Sequence, residues 1–433
     1  MAPINRIAML SVHTCPLAML GGKETGGMNV YVRDLALEFS RRGIAVDVFT
    51  RSQNAHLPHV MHQLGANGRV IHIPTGPEEP YDKNKIFTYL PDFVAGVKQF
   101  AEAEGVAYDV IHSHYWLSGW VARELRAEWH VPIVQMFHTL GKMKDAVAQR
   151  PGERETARRI EVETAIVQFA DRLVAATPTE REQLIKLYGA EPGRISIVPP
   201  GVDISHFHPL PQRLARQAIG ADDHDWMILF VGRIEPLKGV DTLIRAMALL
   251  AQECPTWVSR LSLAIIGGDP DTNENAEMER LKAMHADLQL GDLVVFLGAK
   301  DQNKLQYYYN AAEALVMPSH YESFGMVALE AMACGTPVIA SDVGGLSHLV
   351  RDGETGFHIP SGDHLALAST LSRLLQDDAL RRQLGEQAAY WAQNYSWTKI
   401  GDRILAVYRR AAQAPIVIPT GGVLARRLAY ADG

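Results

Sequence analysis

Ala314-Leu315-Val316-Met317-Pro318-Ser319-His320-Tyr321-Glu322-Ser323-Phe324-Gly325-Met326-Val327-Ala328-Leu329-Glu330-Ala331-Met332-Ala333-Cys334-Gly335-Thr336-Pro337-Val338-Ile339-Ala340 is the stretch from which the rest of the sequence is read. Its two apolar ends read as strands. Between them lie a loop, a helix and a turn. Gly325 stands where the helix should begin and Gly335 where it should end. Glu322 falls in the loop and Glu330 inside the helix. Bare N–H groups at a helix start attract anions, phosphates above all. Two carboxylates beside such a site make little sense if phosphate is the whole ligand. They make sense if the ligand also carries hydroxyls, because a carboxylate accepts two hydrogen bonds from a diol. A nucleotide sugar has both groups. The plain alternative is two solvated carboxylates near a helix start.

Outward from this stretch, the second half repeats the order strand, loop, helix. Residues 227–231 read as a strand, followed by Gly232-Arg233-Ile234-Glu235-Pro236-Leu237-Lys238-Gly239 and a helix over 240–250. Arg233 can fork onto a phosphate and Lys238 can add a point charge; two solvated loop cations are the alternative. The GxxxxGK[ST] spacing of a P-loop is absent. Residues 261–266 and 293–297 are further strands, the first ending in Gly267-Gly268-Asp269. Helices are expected over 365–376 and 380–394, then an amphipathic one over 398–412. The tail beyond it is assigned no role.

The first half opens with a strand over 7–12 that ends in His13-Thr14. A loop follows, with Gly21-Gly22 and then Thr25-Gly26-Gly27-Met28-Asn29, before a helix over 30–42 and a strand over 46–50. Such units build parallel sheets. Gly26 and Gly27 at a helix start let a ligand approach backbone amides closely, against the alternative of a plain flexible loop. The loop is not GxGxxG, which disfavours a dinucleotide cofactor and hence a nicotinamide oxidoreductase. Strands over 110–114 and 133–137 end in His112-Ser113-His114-Tyr115-Trp116 and His138-Thr139-Leu140-Gly141-Lys142. Ligands of open α/β sheets bind beyond the carboxyl ends of strands, which singles out Tyr115, His114 and His138. His112 and His114 share a strand face but lack further ligands at metal spacing, so they read as core or substrate-contact residues rather than zinc ligands. Arg158 and Arg159 open a helix over 156–169, where the dipole disfavours cations; either an anion or solvent should hold them. Pro199-Pro200-Gly201 marks the boundary between a domain of residues 1–200 and one of residues 201–395.

The chain has 433 residues, 47% of them apolar and 21% charged, with a net charge of −7. That length asks for two domains, and that composition is globular. The mild acidity and lack of basic clusters argue against nucleic acid and membrane surfaces. No apolar run is long enough to span a bilayer, and residues 7–12 lack the basic flank of a signal peptide. Three scattered cysteines, Cys15, Cys254 and Cys334, offer neither a disulfide framework nor a zinc pattern, which fits a reducing compartment, the cytoplasm.

The two Glu of the opening stretch, Phe324-Gly325 between them, and Ala333-Cys334-Gly335-Thr336-Pro337-Val338 after them resemble the signature of glycosyltransferase family 4. The Gly232-Arg233 and Lys238-Gly239 element resembles the same family, and the likeness runs from His13 to about Ala412. It implies the GT-B fold: α/β, two Rossmann-like parallel-sheet domains facing a central cleft, the helix over 396–412 packing back on the first. It implies that Glu322 with Ser323, Phe324 and Gly325 holds the donor sugar, that Glu330 holds the ribose, and that Arg233 and Lys238 with the amides of Gly26 and Gly27 neutralise the diphosphate. His138 would face the sugar ring. Thr25-Gly26-Gly27-Met28-Asn29-Val30, His112-Ser113-His114-Tyr115-Trp116 and Ala157-Arg158-Arg159-Ile160 point to a branch with a phosphorylated acceptor, such as an inositol phosphate. By that likeness His13, Asn29, Lys83, Tyr115, Thr139 and Arg158 would grip the acceptor, Lys85 being an adjacent choice for Lys83. Sucrose-phosphate synthases carry similar segments at 138–142 and 158–161, which leaves fructose 6-phosphate open as the acceptor. The loop over 16–25 matches neither branch closely.

The resemblance thus implies a retaining hexosyltransferase moving glucose or N-acetylglucosamine from a UDP-sugar. Its partners are small molecules, no metal or cofactor is required, and magnesium dependence and a homodimer stay open. A catalytically dead nucleotide-sugar-binding protein should have lost Arg233, Lys238 or Glu322. A glycogen-phosphorylase-like enzyme would need pyridoxal phosphate on a lysine.

Overall fold

A computed structural model describes residues 3–18, 25–148, 154–268 and 275–413. Gly21, Gly22, Asp269 and the tail from 414 lie outside the described residues. Among the described residues, fourteen strands fall into two sheets. The first contains β1 (Arg6–Leu10), β2 (Ala45–Arg51), β3 (Val60–Met61), β4 (Gly68–Ile73), β5 (Val110–His114), β6 (Ile133–Met136), β7 (Arg172–Ala175) and β8 (Ile195–Ile197), in the order β3-β4-β2-β1-β5-β6-β7-β8. All its pairings are parallel except β3 with β4. The second contains β9 (Trp226–Val231), β10 (Leu261–Ile266), β11 (Val294–Gly298), β12 (Ala314–Met317), β13 (Val338–Ser341) and β14 (Gly356–Ile359), all parallel, in the order β11-β10-β9-β12-β13-β14. Helices cover both faces, so central strands such as β12 are buried at every residue. This explains why they read as unbroken apolar runs rather than alternating ones.

In each sheet β1 or β9 is central, and the strand order reverses beside it. That switch point is where an open α/β sheet leaves a crevice at its carboxyl edge. The quoted stretch follows the expected order: β12, a loop, the helix Met326–Ala333, then β13. The helix Gly27–Arg41 begins three residues before the expected start and takes Gly27 as its first residue. Gly26 and Gly27 therefore sit at the helix terminus itself, not in a loop ahead of it.

The chain crosses between the sheets at two adjacent points. Val202 N–H donates to the Tyr395 carbonyl at 2.8 Å. A Cβ at Gly201 would lie 2.6 Å from the Trp397 ring, so only glycine lets the two crossings touch. Beyond Trp397, the helix Trp397–Ala412 lies on the first sheet's layer: Tyr408 packs on Phe39 at 5.7 Å and donates or accepts at His112 Nδ1 (2.7 Å), and Arg42 pairs with Asp402 at 2.5 Å. No helix among the described residues is long and apolar enough to cross a membrane.

Candidate active site

The second lobe supplies the charged wall. Beyond β9, Lys238 Nζ contacts Glu322 Oε2 at 2.5 Å, joining the β9 loop to the β12 loop. Arg233 pairs with Glu235 at 2.7 Å. Neither cation is a bare solvated group; each has a carboxylate that an anionic ligand would displace or share. Gly325 caps the helix Met326–Ala333 with φ 101°, and a Cβ there would meet Leu346 at 2.6 Å. The positive φ favours glycine there, and a side chain would also have to push the Leu346 tip aside. Glu330 is buried within that helix, where it accepts from Tyr309 Oη at 2.7 Å and from Gln302 Nε2 at 3.2 Å. Burial raises its carboxyl to about 7 against the pull of these two donors.

The first lobe faces this wall with the Gly26-Gly27 helix start. A Cβ on Gly26 would stand 3.9 Å from Arg233 Nε, and one on Gly27 would stand 3.2 Å from Met326 Sδ. Any side chain would narrow the cleft from that side. The Gly26 N–H itself is taken by Asn29 Oδ1 at 2.9 Å. This corrects the expectation that both glycine amides are available. The Gly27 N–H, at the first helical position, has no carbonyl within the helix to reach. Asn29 is tied in further: its amide nitrogen donates to Thr14 Oγ1 and the Cys15 carbonyl, both at 2.7 Å. Both amide hydrogens and one lone pair of Oδ1 are engaged, so Asn29 braces the loop and keeps one acceptor position.

Deeper in the first lobe, the strand ends gather a second group. Tyr115 has φ 74° and His138 has φ 62°, a left-handed backbone that costs energy in a bulky residue and clusters at functional sites. Tyr115 lies against His13 at 4.5 Å, and its hydroxyl accepts from Arg159 Nη1 at 2.9 Å. Burial raises the Tyr115 phenol, with Arg159 and Lys83 pulling the other way. Lys83 also helps burial hold His13 down to about 3. Of the two neighbouring lysines, Lys83 is thus the one whose charge reaches this group. Arg158 lies over the Phe87 ring at 5.1 Å, and Phe87 stacks on Trp116 at 5.8 Å.

Arg159 is not solvated, and the anions that hold it are carboxylates of the chain itself. It is buried, pairs with Glu163 at 2.7 Å and Glu155 at 2.8 Å, and donates to the Thr139 carbonyl at 2.9 Å and Thr139 Oγ1 at 3.1 Å. Burial opposes its charge, but Tyr115, Glu163 and Glu155 outweigh that and raise its pKa. Arg159 therefore ties two expected acceptor residues, Tyr115 and Thr139, into one rigid unit. The sequence singles out Arg159 beside Arg158 but not this role, because its partners are spread along three elements.

His138 Nε2 meets His114 Nδ1 at 3.0 Å, and the His114 ring lies tilted against His112 with centroids 4.1 Å apart. Burial holds His138 and His112 down to about 3 and His114 well below its usual range, so this ladder is neutral. His112 and His114 are core residues behind the site. Among the described residues no group of three or more His, Cys, Asp or Glu could hold a metal. Glu180, from the first lobe, lines a small cleft with Tyr321, Glu322 and Ser323 of the second.

Two facing parallel sheets with a cationic, carboxylate-lined cleft define a GT-B glycosyltransferase. A glycosyltransferase family 4 model matches residues 25–206, and a model of glycosyl transferases group 1 matches residues 211–391. The chain is 44% identical to the D-inositol 3-phosphate glycosyltransferase of Acidothermus cellulolyticus, over 94% of this chain and 90% of that protein. The sucrose-phosphate synthase of Thermosynechococcus elongatus superposes with a TM-score of 0.85 at 36% identity, covering 94% of this chain and 98% of the other. Anabaena HepE, solved with UDP and glucose, superposes at 0.71 and 21% identity, over 93% of this chain and 98% of that one. The chain belongs to the family 4 glycosyltransferases and is an enzyme of that class.

Proposed function

We propose that this enzyme transfers a hexosyl group, glucose or N-acetylglucosamine, from a UDP-sugar to an inositol phosphate with retention of anomeric configuration. The observation that carries the reading is the approach of the Gly26-Gly27 helix start on one lobe to Arg233 and Met326 on the other, with the Lys238–Glu322 contact on that second lobe. Identity of 44% to a D-inositol 3-phosphate glycosyltransferase supports the acceptor class, and the UDP complex of a fold relative supports the donor nucleotide. The reducing-compartment pattern of its cysteines fits work in the cytoplasm.

Charge separates in the transition state. The sugar becomes oxocarbenium-like and the departing diphosphate gains negative charge. Arg233, Lys238 and the Gly27 amide stabilise that diphosphate more than they stabilise the intact donor, which is differential binding. Glu322 with Ser323, Phe324 and Gly325 grips sugar hydroxyls, and Glu330 the ribose. His138, neutral at working pH, faces the sugar ring and donates or accepts a hydrogen bond without carrying a proton as acid. Lys83, Tyr115, Thr139 and Arg158 hold the acceptor phosphate beside His13 and Asn29, with Arg159 fixing Tyr115 and Thr139. The acceptor proton passes to the leaving phosphate on the face from which it departs. Two protein cations do the work a metal does elsewhere, so turnover should persist within about twofold in excess chelator. A drop to background that magnesium restores would count against this clamp.

Arg158→Ala should raise the acceptor KM by about tenfold or more, the scale of a charged hydrogen bond, while slow donor hydrolysis stays unchanged. Steady-state kinetics varying each substrate separate the two. The reading as a whole is tested by UDP release from UDP- and GDP-sugars against inositol phosphate, fructose 6-phosphate and their unphosphorylated forms. Preference for fructose 6-phosphate would favour the second reading, a sucrose-phosphate-forming enzyme, which the 0.85 TM-score match supports. Equal use of phosphorylated and plain acceptors would contradict both.

A further inference from the structure

A chain of side-chain hydrogen bonds runs from Glu330 in the second lobe to the point where the polypeptide crosses between lobes. Gln302 Nε2 donates to Glu330 Oε1 at 3.2 Å, and Gln302 Oε1 accepts from Arg33 Nη2 at 2.8 Å across the cleft. Arg33 Nε donates to Asp34 Oδ1 at 2.7 Å, and Asp34 Oδ2 accepts from Trp397 Nε1 at 3.2 Å. Trp397 is the residue that packs on Gly201 where the two crossings touch. Each link allows one orientation only. Arg33 can only donate and an ionised Glu330 can only accept, so the Gln302 amide is fixed with its oxygen toward the first lobe and its nitrogen toward the second. A carboxylate at 302 would face Glu330, and a cation there would face Arg33.

We infer that Arg33 and Gln302 are positioning residues for the donor nucleotide: the first lobe orients Glu330, and through it the ribose, by way of Gln302. The inference rests on the proposal that Glu330 takes the ribose hydroxyls. It adds that a donor seated mainly on the second lobe still depends on a first-lobe arginine that does not touch it. Tyr309 and Gln302 fill one acceptor position on each Glu330 oxygen, and a carboxylate has further lone pairs for two ribose hydroxyls.

Ionised Glu330 accepts both hydroxyls, whereas the acid accepts fewer. Burial leaves Glu330 near 7; Tyr309 and Gln302 from the helix Gln302–Ala311 lower it, Asp34 from the helix Gly27–Arg41 raises it, Arg33 from that helix lowers it, and Cys334 lies near it on its own helix segment. Donor affinity should therefore fall by about tenfold from pH 8 to pH 6, the change in the ionised fraction of a group titrating at about 7. Losing Arg33 should move that midpoint upward.

The test uses the full chain with Arg33→Met, Gln302→Leu, the double variant and Glu330→Gln. UDP-glucose, whose diphosphate diester does not titrate between pH 6 and 8, is the probe, with Kd measured by calorimetry without acceptor. Arg33→Met and Gln302→Leu should each weaken binding by about tenfold at pH 7, and together by little more than either alone, because they break one path. Turnover at saturating donor should stay within about twofold, so the loss appears in the donor KM. The Arg33→Met midpoint should rise, which loss of packing alone would not cause. If Glu330→Gln weakens binding while Arg33→Met and Gln302→Leu match the wild type, the coupling is wrong and the ribose assignment stands. If Glu330→Gln binds as the wild type, the ribose assignment itself fails and the coupling with it.

Discussion

Arg233→Ala is expected to lower kcat by about 10²–10³-fold, the cost of removing one preorganised donor to a developing charge. The loss of UDP affinity should be smaller. A ground-state diphosphate is already shared among Lys238, the Gly27 amide and water, whereas the breaking bond places new charge where the Arg233 fork lies. One partner of Arg233, Glu235, sits at 2.7 Å and both are part-exposed. Exchanging that carboxylate for a diphosphate therefore costs little desolvation, and the fold should tolerate the alanine. Thermal stability of the variant should match the wild type. Measuring kcat beside UDP Kd separates the two effects, and wild-type turnover would remove Arg233 from the mechanism.

Arg159→Met should have the largest effect on stability, about 3–5 kcal/mol, the range for breaking a buried ion pair by deleting one partner. The variant leaves Glu163, fully buried, and Glu155 facing each other without the guanidinium between them. It also removes the donors to Tyr115 and Thr139. Denaturant unfolding gives the stability change. Kinetics on the folded fraction should show acceptor KM rising more than donor KM, because only the acceptor side loses its brace. A variant as stable as wild type would mean that the carboxylates re-pair elsewhere, Lys144 being already beside Glu155.

Much of this arrangement was legible in the sequence because it is local. The strand–loop–helix order around Glu322 and Glu330, the Arg233 and Lys238 loop, and the strand ends at Tyr115 and His138 each lie within a few residues of their signal. Element ends moved by one to three residues, most usefully at Gly27, which turned out to be helical. What escaped was non-local. Arg33 and Gln302 lie 269 positions apart, and nothing in either neighbourhood marks the pair. Arg159 looked interchangeable with Arg158, yet one is buried in an ion-pair network and the other rests on an aromatic ring. Helical phase, not composition, separates them. Asn29 sits beside a glycine pair, and nothing in that neighbourhood marks its bonds to Gly26, Thr14 and Cys15.

The central claim is that charge from the second lobe and a main-chain amide from the first converge on a leaving diphosphate. A crystal structure of the full chain with an intact UDP-sugar tests it most directly. The account predicts the β-phosphate within hydrogen-bond distance of Arg233, Lys238 and the Gly27 N–H, with the Lys238–Glu322 contact opened so that Glu322 meets sugar hydroxyls. A diphosphate bound away from the Gly27 N–H, with Lys238 still paired to Glu322, would contradict it.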